Sequence, residues 1–227
     1  MMADTFKIAI LTDSLGNPRA FPEKDSSNFE QTYPMLLRNK FLSSLVYQLS
    51  VGDVTSRYLI NQFVGYFNDW SPEVIILHAG INDAKKDRSF LPYFLVIRFE
   101  KLLQRVLSIS FLKIISKLKL LKFRTEVQQF HSSIQMLRDV FPDSKIIYVP
   151  IICTDQLELR YLDIMKRGKR LNDCVGSMTN IHFLDILSLL FKENGIASDG
   201  MHLNSVGHRI MADQLAVIIQ GEKNELE

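Results

Sequence analysis

The stretch FKIAILTDS, running from Phe6 to Ser14, decides the architecture. A mainly aliphatic run, interrupted only by Lys7, ends in a hydroxyl, a carboxyl and a second hydroxyl. A short apolar run without polar alternation reads as a strand buried on both faces. Further runs behave in the same way: Leu45–Val51 (LVYQLSV, the weakest), Val74–His78 (VIILH), Lys145–Ile152 (KIIYVPII) and His182–Leu187 (HFLDIL). Helical patterns lie between them, near 54–69, 91–140, 157–176 and 204–220, and Pro34 is placed for the first turn of a helix reaching Phe41. Buried strands alternating with helices predict an α/β fold, a parallel sheet covered on both faces. Sites in such folds form at the carboxyl ends of the strands.

Composition supports one large domain. The chain has 227 residues, 47% hydrophobic and 23% charged, enough apolar material for a sizeable core. We expect a single domain over 1–221 with a frayed acidic tail at 222–227. The net charge of +2 excludes nothing by itself, but residues 85–126 hold eleven Lys/Arg against three Asp/Glu. Within this basic stretch Phe111, Ile114, Ile115, Leu118 and Leu121 recur at helical spacing, with Lys113 and Lys117 on another face. The segment at about 85–125 reads as a helical insertion: a packing helix, a lid, or through 90–122 a peripheral membrane contact. It carries no nucleic-acid motif, and its aliphatic residues argue against nucleic acid as a partner.

Two cysteines, Cys153 and Cys174, are too few for a disulfide framework and lack metal-ligand spacing, so both are expected as free thiols. Lys7 breaks the early apolar run, no stretch reaches the length of a membrane span, and the expected compartment is the cytoplasm. Oligomeric state is not written in the sequence.

Four short pieces carry candidate chemistry. Thr12-Asp13-Ser14 closes the first strand and puts a serine on a turn at the sheet edge. Gly52-Asp53 follows the second, where a glycine can let a backbone N–H approach a reactant. Gly80-Ile81-Asn82-Asp83 follows the third, and an asparagine amide there can donate to a developing oxyanion. Asp199-Gly200-Met201-His202 precedes the last helical pattern; a carboxylate three residues before a histidine can hold one ring nitrogen as N–H and leave the other to accept a proton. Taken singly, each piece is equally an ordinary turn.

Order and spacing change that. Serine after strand one, glycine after strand two, Gly-x-Asn-Asp after strand three and Asp-x-x-His near the C-terminus resemble the consensus blocks of the SGNH/GDSL hydrolase superfamily, and Asp69-Trp70-Ser71-Pro72 resembles the family's approach to its third block. The departure is Thr12, where the family's first block has glycine. The resemblance implies a three-layer α/β/α sandwich on a central five-stranded parallel sheet of flavodoxin-like type. It also implies ester hydrolysis through an acyl-enzyme, without metal or organic cofactor. Carried over by position, Ser14 is the nucleophile, His202 its base and Asp199 the residue orienting the base. The Ser14 and Gly52 backbone N–H groups and the Asn82 side chain form the oxyanion hole. Asp13 and Asp83 are read as structural, pinning loop N–H groups.

Three further residues are candidate substrate contacts: Arg19, five residues after Ser14, Arg57, five after Gly52, and His78 at a strand end. Arginine forks suit anionic groups, and the run from Asp13 to Arg19 with Tyr33-Pro34 downstream resembles SGNH proteins associated with bacterial surface polysaccharides. The expected substrate is an O-acyl, most simply O-acetyl, ester of a carbohydrate. A lysophospholipase or thioesterase activity, or acyl transfer to a sugar hydroxyl, uses the same residues.

Overall fold

Five strands form one sheet, all parallel: β1 (Lys7–Thr12), β2 (Leu45–Ser50), β3 (Val74–His78), β4 (Lys145–Tyr148) and β5 (Ile181–Phe183), in the order β2-β1-β3-β4-β5. The computed structural model describes residues 5–19, 25–86, 123–161 and 163–226. The predicted packing, lid or membrane helix within 90–122 lies outside them. With the flanking helices the sheet makes the expected three-layer α/β/α sandwich, and the strand order is the flavodoxin-like one, with its switch point between β1 and β3.

The period of two along the strands divides the core. Ala9, Leu11, Ile75, Leu77, Ile146 and Tyr148 face one layer, built from α2 (Ser56–Phe67), α4 (Val127–Val140) and α6 (Ile164–Gly176). Ile8, Ile10, Val74, Ile76 and Ile147 face the other, built from α1 (Tyr33–Lys40) and α8 (Ser205–Leu226). β3 is buried along its whole length, whereas edge strand β2 is mostly half-buried, which explains its weaker pattern.

Several boundaries differ from expectation, for local reasons. β4 ends at Tyr148 because Pro150 has no N–H to continue the ladder. The Asn172 side chain then takes over, accepting from Ile151 N at 2.9 Å and donating to Ile151 O at 3.1 Å. The helix expected over 157–176 is two, α5 (Asp155–Arg160) and α6. Asp163 stands between them with φ of 64°, and Glu158 accepts from Asp163 N and Met165 N at the new N-terminus. β5 stops at Phe183, and Leu187–Lys192 forms α7 instead of prolonging the strand. The tail expected to fray from 222 is helical through Leu226: Glu222 pairs with Lys145, and Lys223 donates to Ser43 Oγ at 3.1 Å.

The two ends of the basic segment meet. Lys86 and Phe123 form an antiparallel bridge, and Arg124 N donates to Lys85 O at 3.0 Å. The chain therefore leaves and re-enters at one place, directly after the short helix α3 (Ile81–Ala84). Among the described residues no helix is long and apolar enough to cross a membrane. Cys153 and Cys174 are free thiols.

Candidate active site

Strand register sets out the site before any side chain is considered. Thr12 is level with Ser50 on one side and His78 on the other. Ser14, Gly52 and Gly80 therefore emerge from the sheet at the same height, and Asn82 lies one step beyond, across the switch point. The Asp199–His202 segment comes from the far end of the sequence.

Ser14 opens a single 3-10 turn, Ser14–Gly16, capped by Asp13, whose carboxylate accepts from Leu15 N at 3.0 Å. Thr12 is fully buried, and its methyl fills the space over Gly16, where an added Cβ would stand 2.5 Å from Thr12 Cγ2. The residue that departs from the family pattern thus packs against the turn presenting the serine. Ser14 itself is half-buried.

His202 Nε2 lies 3.1 Å from Ser14 Oγ. On the other side of the ring, Nδ1 is 2.5 Å from Asp199 Oδ2, while Asp199 Oδ1 accepts from the backbone N–H groups of Met201 (3.2 Å) and His202 (3.1 Å). Gly200 makes this tight turn feasible, with φ of 79° and no room for a Cβ beside Thr154 Oγ1. Burial alone would raise the Asp199 carboxyl, but the hydrogen bonds from His202, its charge and the Arg19 guanidinium hold it well below the usual carboxylate range. A hydroxyl, an imidazole and an ionised carboxylate in line can move a proton off the serine and stabilise the imidazolium that results.

Asn82 is buried on α3. Its Nδ2 donates to Asp13 Oδ2 at 3.4 Å and its Oδ1 accepts from Lys85 Nζ at 2.6 Å. Gly80, with φ of 126° and Ile151 and Phe130 crowding the place of a Cβ, starts this turn. Burial pushes the Asp13 carboxyl up to about 7, with Leu15 N–H and Lys85 pulling against it, and burial depresses the Lys85 ammonium. Asp83 accepts from Ser56 N at 2.8 Å and from Ser56 Oγ at 3.1 Å, so it anchors the first turn of α2. Both aspartates pin backbone N–H groups as expected. Gly52 lies in an exposed turn with open space where a Cβ would point, so its backbone is accessible at the sheet edge.

The three candidate substrate contacts fare differently. Arg19 Nη1 reaches Asp199 Oδ2 at 2.5 Å, so its guanidinium pairs with the carboxylate behind His202. His78 is 1% exposed and does not line the site; its Nδ1 is 3.3 Å from Tyr33 Oη, within a buried cluster completed by His208, whose Nδ1 accepts from Tyr33 N at 3.3 Å. A strand-end position suggested access, but the flavodoxin-like order places β3 in the sheet interior with helices on both sides. Arg57 is exposed on the first turn of α2. Sequence reasoning missed Lys85 and Asp25. Lys85 stands three residues after Asn82, a spacing that shares a helical face; Asp25 lies in a polar loop with no distinguishing pattern. Among the described residues no three His, Cys, Asp or Glu side chains group as a metal site.

Comparison with solved structures places this architecture. A lipase/acylhydrolase from Enterococcus faecalis superposes with a TM-score of 0.64 at 14% identity, covering 96% of each chain. A member of the lipolytic G-D-S-L family from Veillonella parvula DSM 2008 gives 0.59 at 12% identity over 95% of this chain and 99% of its own. The acetyl xylan esterase AlAXEase gives 0.59 at 15% identity over 94% and 100%. The chain therefore has the fold of the GDSL/SGNH lipolytic hydrolases, matched nearly end to end. No family model and no curated protein sequence matches it.

Proposed function

We propose that the chain is a carboxylic ester hydrolase that cleaves an O-acyl ester, with an O-acetylated carbohydrate as substrate, through an acyl-enzyme on Ser14. The observation that carries this reading is the hydrogen-bonded line Ser14 Oγ, His202 Nε2, His202 Nδ1, Asp199 Oδ2 at the carboxyl edge of the sheet. His202 takes the Ser14 proton as Oγ attacks the ester carbonyl. The tetrahedral oxyanion is held by the backbone N–H groups of Ser14 and Gly52 and by the Asn82 amide. His202 then protonates the departing alkoxide, and a water activated by the same ring releases the acid and restores the serine. Asp199 keeps the imidazole in the required tautomer throughout.

A small acyl group on a polar carrier suits the described surroundings. Around the strand ends stand Asn17, which accepts from Ser50 Oγ, Asp53, which pairs with Arg124, and Lys85. An acetyl xylan esterase is among the solved structures of this fold, as is a lipase/acylhydrolase. The test is acetate release from acetylated sugars, and turnover of p-nitrophenyl acetate against the octanoate, by wild type and Ser14→Ala. Release by wild type alone, with acetyl preferred, is expected. Equal behaviour of the two proteins would remove the hydrolase reading; a preference for octanoyl would replace the carbohydrate ester with a lipid one.

A further inference from the structure

The loop between Ser14 and α1 folds back on itself. Arg19 and Ser27 exchange backbone hydrogen bonds of 2.9 Å in both directions, and Arg19 N also reaches Ser27 Oγ at 3.2 Å. From this closed loop two charged side chains cross to the segment that carries Asp199 and His202. Arg19 Nη1 donates to Asp199 Oδ2. Asp25, 7% exposed, accepts from Ser198 N at 2.9 Å and from Ser198 Oγ. The cation is placed on the acid and the anion on the residue before it, so the two contacts grip the segment at successive positions.

Asp199 is thereby fixed on both oxygens. Oδ1 holds the Met201 and His202 N–H groups; Oδ2 is shared between His202 Nδ1–H and the Arg19 guanidinium. Sharing has an electrostatic consequence. The charge of Asp199 is what stabilises a protonated His202, and a guanidinium on the same oxygen offsets part of it. The arginine also stops the carboxylate from rotating away from the ring.

We propose that Arg19 is a positioning residue, secured by Asp25, that sets the orientation and the effective charge of Asp199 and through it the proton affinity of His202. The proposal rests on the triad reading given above. Among the described residues, Ser14 and the buried imidazoles of His78 and His208 act on His202 beside Arg19 and Asp199, and burial lowers the two imidazoles to about 3 and about 4. The Arg19–Asp199 pair is in direct contact with the His202 ring through Oδ2, so the acid limb of the pH profile responds to it.

The test uses Arg19→Met, Arg19→Lys and Asp25→Asn, with p-nitrophenyl acetate kinetics from pH 5 to 9 and NMR titration of the His202 ring. In Arg19→Met the kcat should fall about tenfold as the carboxylate loosens, with KM for this neutral ester nearly unchanged. The acid limb and the His202 titration midpoint should both move up by about half a pH unit, because imidazolium is no longer opposed. Arg19→Lys keeps the charge and should restore the limb. Asp25→Asn should shift it in the same direction as Arg19→Met but less. A raised KM with an unmoved limb would make Arg19 a substrate contact, and a lowered Tm with unmoved titration would leave it only structural; either overturns the proposal. If wild type lacks esterase activity, the proposed function fails while the NMR titration still decides the role of Arg19.

Discussion

Lys85 Nζ sits 2.6 Å from Asn82 Oδ1, and this bond fixes which way the Asn82 amide faces. Lysine only donates, so the oxygen must lie on its side and the N–H groups must face Asp13 and the sheet edge. An oxyanion donor is useful only if its N–H is already aimed. Asn82→Ala should therefore lower kcat by about 10²–10³ with little change in KM. Lys85→Met, which leaves the amide free to turn, should cost about tenfold in kcat. Steady-state kinetics on p-nitrophenyl acetate decides; an unchanged kcat in Lys85→Met would show that the bond does not matter to the amide.

Thr12 and Gly16 are coupled by volume. A Cβ at Gly16 would meet Thr12 Cγ2 at 2.5 Å and Oγ1 at 2.9 Å, both within a fully buried side chain. Gly16→Ala should lower Tm by roughly 3–8 °C through overpacking. Adding Thr12→Gly vacates the space, so the double variant should be more stable than the sum of the single changes. Thermal melts of the four proteins test it, and strict additivity would count against the packing argument.

Stability should depend on pH in two opposite ways. Burial, reinforced by neighbouring histidines, lowers His78 to about 3, against 6.5 for an ordinary imidazole. Its contribution is fully present above about pH 6.5 and lost as pH falls towards 3, because the unfolded ring takes up the proton first. Burial raises Asp13 from 3.8 to about 7, so its contribution is fully present below pH 3.8 and lost as pH rises through 7. The Tm of His78→Asn relative to wild type should thus improve by a few degrees between pH 7.5 and 4.5, and that of Asp13→Asn should improve between pH 5 and 8. Differences that stay flat across these ranges would rule out both assignments.

Asp83 holds two groups of Ser56 from a buried position, so its loss should affect the scaffold before the chemistry. Asp83→Ala leaves the Ser56 N–H unpaired and should cost about 1–3 kcal/mol in chemical denaturation. Activity per folded molecule should stay within about twofold at low temperature. A large loss of activity in fully folded protein would instead place Asp83 in the reacting constellation.

The sheet was legible because its central strands are nearly continuous apolar runs, and the runs at Val74–His78 and Phe6–Thr12 correspond to strands almost residue for residue. Ser14, Asn82, Asp199 and His202 were legible because each sits at a fixed offset from a strand or helix end. What escaped depends on contacts between distant segments. The pairing of Arg19 with Asp199 escaped because nothing near Arg19 in sequence shows a partner 180 residues away. His78 looked accessible because a strand end is open in sequence and closed only when α1 and α8 pack over it. The break between α5 and α6 escaped because Glu158 competes for the backbone N–H groups of Asp163 and Met165, a local choice that apolar periodicity does not record.

The 188 residues separating Ser14 from His202 also order events in time. At about 5–20 residues per second, a ribosome delivers the histidine roughly 10–40 s after the serine. During that interval the nascent chain can complete β1 to β4 and display Ser14 on its turn, but the hydroxyl has no base and remains as inert as any other serine. On the proposed chemistry, reactivity switches on only when the last segment docks.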